Sequence, residues 1–135
     1  MRTLAALGLV LVAAASATAA APIRATLTTT TPTPRVDQPW RWTVTVRDRA
    51  GAPLRARMKL QILLGETVVG CWKGGAMTQC AGASPGDWIA FRGKRSGILR
   101  WPAESVGVAL TFQAIVKAAG QTRKLRAPVT VKPAG

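Results

Sequence analysis

The sequence predicts an all-β chain, an antiparallel β-sandwich of about seven to eight short strands. Three observations predict it. Apolar and polar residues alternate with period two over several stretches, most cleanly from Trp40 to Arg47, where Trp40, Trp42, Val44 and Val46 share one face. Clusters containing Gly, Pro and Asp punctuate the chain between those stretches. Beyond the first twenty or so residues, about the length of a leader peptide, no ten-residue run keeps a helical apolar period, which argues against an α/β fold.

Each element follows from local chemistry. Ala25 to Thr31 is β-branched and polar, the composition of an edge strand. Pro32 to Pro39 holds three prolines and reads as an extended connector. The alternating strand at Trp40 follows, and Gly51 and Pro53 then mark a turn. From Leu54 onward Ala56, Met58, Leu60, Ile62 and Leu64 face one way, with Arg55, Arg57, Lys59 and Gln61 opposite. Thr67 to Trp72 is a short strand entering a loop that holds Cys71 and Cys80. Asp87 to Gly93 and Gly97 to Pro102 are two more short strands, and Pro102 suits the start of one helical turn. Leu110, Phe112, Ala114 and Val116 form the inward face of the next strand. Leu125, Ala127, Val129 and Val131 form that of the last, where Pro128 on the other phase marks an edge or a strand end.

The N-terminus reads as an address. Arg2, an apolar run from Leu4 to Ala15 and the small residues of "SATAAAP" have the order of a cleaved signal peptide. Residues 1–20 are assigned to it and residues 21–135 to one domain. The apolar run is shorter than the roughly 20 residues that span a bilayer, so no transmembrane span is expected in the mature chain. The expected location is secreted, extracellular or periplasmic. A formal net charge of +14 favours polyanions as partners: wall polymers, acidic polysaccharides, anionic lipids or free DNA.

The stretch "WTVTVRDRAGAPLRARMKLQIL" resembles the first half of a bacterial immunoglobulin-like domain: a strand ending in Asp, a Gly-containing turn, then an alternating strand. "LTFQAIVKAAGQTRKLRAPVTV" is similar to the final hairpin of the same class. The resemblance implies an immunoglobulin-like β-sandwich at the cell surface or outside it, with a role in binding, spacing or scaffolding. It carries no functional residue across, and fold alone does not give function. One departure stands out. Antibody-type domains staple their sheets with widely separated cysteines, whereas Cys71 and Cys80 lie close together in sequence.

Those two cysteines therefore need another role. Zinc takes about four ligands, and the chain offers two Cys, no His and five carboxylates. Redox pairs use Cys-x-x-Cys beside a βαβ unit, and neither is present. An even count in an exported chain points to a Cys71–Cys80 disulfide. Closing about ten residues contributes about 2.7 kcal/mol by loop entropy. The clasp restrains Trp72, Lys73 and Met77, which become candidate contacts if the loop is a binding tip.

Catalysis is not expected. Without histidine there is no Ser-His or Cys-His dyad, and Asp37, Asp48 and Glu66 lie in or beside turns, where acidic residues are ordinary. No cofactor is implied. Trp40 and Trp42 share phase with the core valines, whereas Trp72, Trp88 and Trp101 lie near turns. With so few other aromatics the small core takes most of the tryptophan. If the strand at Arg55 shares a sheet with the last two, Arg55, Arg57, Lys59, Lys117, Lys124 and Arg126 fall on one outer face with no acidic residue in phase. Such a face suits an anionic envelope polymer. No specific nucleic-acid motif accompanies it, so DNA binding there would be unspecific and salt-sensitive. The alternative is adhesion to another surface protein through the cysteine loop or an edge strand.

Overall fold

The computed structural model describes residues 21–80 and 86–135. The assigned signal peptide lies outside the described residues. No helix among the described residues is long and apolar enough to cross a membrane.

The described chain is all-β. Its strands are β1 (Arg24–Thr29), β2 (Trp40–Arg47), β3 (Arg55–Leu64), β4 (Thr67–Lys73), β5 (Ala76–Gln79), β6 (Ile89–Arg92), β7 (Lys94–Leu99), β8 (Ala109–Ala118) and β9 (Gln121–Thr130), with one 3-10 turn at Ala103–Ser105 after Pro102. They form two antiparallel sheets. The smaller runs β1-β2-β7; the larger runs β5-β4-β3-β8-β9, with β6 beside the first half of β3. Pro128 faces outward on β9, the edge strand, where its missing N–H is tolerated.

The core lies between the sheets. Trp40, Trp42, Val44 and Val46 from β2 meet Met58 and Leu60 of β3 and Phe112, Ala114 and Val116 of β8. Trp101 joins them, so that the Trp40 ring stands edge-on to both Trp101 (5.3 Å) and Phe112 (5.1 Å). These offset geometries suit the ring quadrupoles. The Trp40 indole N–H donates to the Thr31 carbonyl at 2.7 Å, which ties the proline-rich connector to the core. That connector also runs parallel to the chain end: Thr130 N–H donates to the Pro32 carbonyl and Lys132 N–H to the Pro34 carbonyl.

Two local features depart from simple alternation. Period two puts Ile62 and Leu64 inside and Gln61 outside, but a register shift against β4 falls between Ile62 and Leu63. The extra residue of that shift is Val69 on β4, and β3 keeps its register against β8 throughout. Gln61 and Leu63, both of the outer phase, are nonetheless buried, and Leu64 at the strand end is 48% exposed. The second is a corner. The sequence suggests separate strands with the second starting at Gly97, yet β7 begins at Lys94, directly after β6. Gly93 makes this possible. Its φ is +73°, and a Cβ there would sit 2.6 Å from the Pro53 Cβ. Its N–H bonds Leu54 at the start of β3 and its carbonyl accepts from Val46 of β2, so one residue joins both sheets.

Candidate functional site: a basic face on the larger sheet

The register of the larger sheet brings the six expected basic residues onto one outer face. Arg57 lies directly across from Lys117. Lys59 lies across from Ile115, which is in turn across from Lys124. Gln113 separates Gln61 from Arg126 in the next row. Arg55 keeps the phase of Arg57 and faces Arg92 of β6, a cation the phase count had not included. Lys59 is half-buried; the other basic residues named here are exposed.

Two residues modify the expected one-sign surface. Glu66, in the turn between β3 and β4, reaches back to Arg126 and accepts from both of its terminal nitrogens at 3.0 Å. Counting phase along strands missed it because Glu66 lies in a turn. The hydrogen bond and charge of Arg126 hold the Glu66 carboxyl below its ordinary range, and Glu66 raises Arg126 in return. The Arg126 Nε also donates to the Gln113 Oε1, and the Gln113 amide donates to the Gln61 Oε1. This chain satisfies two glutamines buried under the face.

The second residue is Trp88. The sequence places it near a turn, and the core is the expected home for most of the tryptophan. Instead it joins the basic face, half-buried, just before β6. The Lys59 Nζ, Lys117 Nζ and Arg57 Cζ lie 4.9, 5.0 and 5.3 Å from its ring centroid. Cation–π attraction offsets part of the repulsion among these three charges. The face thus interleaves an aromatic ring with its cations. No local sequence pattern places it there; the pairing of β6 with β3 does, and it gives Trp88 the phase of Lys59.

The cysteines form the expected disulfide, with Cα atoms 5.9 Å apart. The segment it closes is not a loop, however. Gly74 and Gly75, both at positive φ, make a two-residue turn between the paired residues Lys73 and Ala76, so β4 and β5 form a hairpin. Within it Trp72 pairs with Met77 and both pack against the core, leaving Lys73 as the exposed member of the three. Asp87 braces the turn by accepting from the Gly74 N–H at 2.9 Å. Among the described residues no group of three potential metal ligands occurs.

The chain matches no protein-family model and no curated protein. Among solved structures it is similar to Spo0M, a sporulation control protein from Bacillus subtilis, at 8% identity and a TM-score of 0.43. The likeness covers 82% of this chain and 49% of that one, so the chain spans about half the length of that structure.

Proposed function

We propose that this chain is an exported, non-catalytic domain of immunoglobulin-like type that binds an anionic envelope polymer through the outer face of its larger sheet. The carrying observation is the clustering of Arg55, Arg57, Lys59, Lys117, Lys124 and Arg126 on one face, where Glu66 alone of the chain's five carboxylates forms a described ion pair with them. A one-sign field of this kind attracts polyanions and weakens with salt. Immunoglobulin-like character is supported by strand order: β1-β2-β7 against β9-β8-β3-β4-β5 follows A-B-E against G-F-C-C′-C″. It departs from that pattern at β6, which pairs with β3. The disulfide favours an oxidising compartment, in keeping with export.

The test uses dextran sulfate as the polymer and residues 21–135 as the protein. Expected is binding at low salt that falls about tenfold or more at high salt and is abolished by Arg57→Glu with Lys124→Glu. Binding unaffected by that pair would overturn the reading. A second reading, assembly with another surface protein, is favoured by a cleft of about 320 Å³ lined by Leu64, Met77, Leu99 and Leu110 beside the disulfide hairpin. Salt separates the two, because an apolar contact survives screening.

A further inference from the structure

The basic residues are not spread evenly. Four of the cations on this side, Arg55, Arg57, Arg92 and Lys117, line one open cleft of about 810 Å³ where β3 and β6 meet the turn between β8 and β9. Their arrangement opposes ordinary sheet energetics. Arg55 lies directly across from Arg92, and in the adjacent row Arg57 lies directly across from Lys117. Like charges directly opposite one another destabilise a sheet, and here two such pairs are neighbours. No carboxylate lines the cleft to offset them. Glu66 lies at the other end of β3, committed to Arg126. The Trp88 ring holds Arg57 and Lys117 at the cleft wall by cation–π contact. The Thr122 hydroxyl, across from Lys117, adds a neutral donor to the lining.

We infer that this cleft is an anchoring site for a phosphate group of at least two negative charges, carried by the anionic ligand of the basic face. The inference rests on the functional reading above and deepens it. Four cations leave a surplus around a single carboxylate or sulfate ester, whereas a phosphomonoester or diphosphate comes closer to balancing them. Three of the four are guanidiniums, whose planar fork matches phosphate oxygens in bidentate fashion. Bound phosphate also removes the repulsion within both cross-strand pairs, so ligand binding and fold stability are coupled at this point.

Inorganic pyrophosphate is the probe, titrated calorimetrically into the protein with sodium chloride of equal ionic strength as the reference. Binding is expected, weakened about tenfold by Arg55→Gln and again by Arg92→Gln, and changed less than about twofold by Arg41→Gln, exposed on β2 of the smaller sheet. The two cleft variants are also expected to melt higher than the parent in the absence of phosphate, since each removes a like-charge pair. No heat beyond the chloride reference, or an equal loss in Arg41→Gln, overturns the site. Vesicles of phosphatidylcholine with and without phosphatidic acid identify the source. Retention displaced by pyrophosphate assigns the phosphate to lipid; pyrophosphate binding without retention assigns it to a soluble or polymer-borne group. Dextran sulfate binding that persists while pyrophosphate fails removes the cleft and leaves the wider face in place.

Discussion

The two faces of the larger sheet are built from the same three strands by opposite rules. On the inner face Met58, Leu60, Phe112, Ala114, Val116 and Val129 are buried and close-packed against the smaller sheet. On the outer face the same strands carry Arg57, Lys59, Lys117, Lys124 and Arg126, with the repulsion only partly offset by Glu66 and Trp88. The inner face is organised for stability. The outer face concentrates charge that the fold does not need. Substitutions on the inner face should therefore change stability, and those on the outer face should change binding first.

The sharpest test is Trp40. It touches Trp101 and Phe112 edge-on and donates to Thr31, so it ties both sheets and the connector together. Trp40→Ala is expected to lose about 3–5 kcal/mol in denaturant unfolding. Trp40 packs on the inner face through Phe112; Arg57→Gln, on the outer face of the larger sheet, should stay within about 0.5 kcal/mol. A comparable loss from both would erase the distinction between the faces.

The disulfide is the next largest effect. Cys71 is fully buried, yet it lies across from Gln61 and so belongs to the outer phase. Replacing both cysteines by Ala is expected to lower stability by up to about 2.7 kcal/mol from loop entropy. The paired register of β4 and β5 should persist, held by its ladder and its two-glycine turn. Amide exchange across Trp72 and Met77 would check this. Dextran sulfate binding should not change, because the basic residues lie on β3, β8 and β9.

These regions also differ in how much of them the sequence disclosed. β2 and β8 were legible because each buries one face without interruption, so period two survives along the whole strand. The basic face was legible for the same reason once β3, β8 and β9 were taken as neighbours. Trp88 was not, since its place depends on β6 crossing to β3, a long-range pairing that leaves no local pattern. The burial of Gln61 on the outer phase was hidden too, because it depends on the strands that flank β3, where Gln61 lies between Gln113 and Cys71. Gly93 could be read only as a turn, although its role is to carry the chain from one sheet to the other. The β4–β5 hairpin has its turn signal in "GG", but cysteines flanking that signal are equally consistent with a closed loop, so local sequence does not separate the two.

The smallest effect comes from the one acid that interrupts the basic face. Arg126 holds the Glu66 carboxyl below its ordinary range, first by hydrogen bonding and then by charge. A depressed folded-state value means that the carboxylate form is favoured by folding. Its contribution is complete above the unfolded-state value and disappears as pH falls through the lower, folded-state value. Because the pair is solvent-exposed, the change in melting temperature over that window should be slight and should shrink with added salt. The carboxyl carbon shift of Glu66, followed by NMR, reports it directly. Arg126→Gln should move the Glu66 midpoint upward toward its ordinary value, and a midpoint that stays put would remove Arg126 as the cause. The same variant leaves Gln113 without its guanidinium donor, so a larger loss of stability than the pH window shows would be the contribution of the buried glutamine pair.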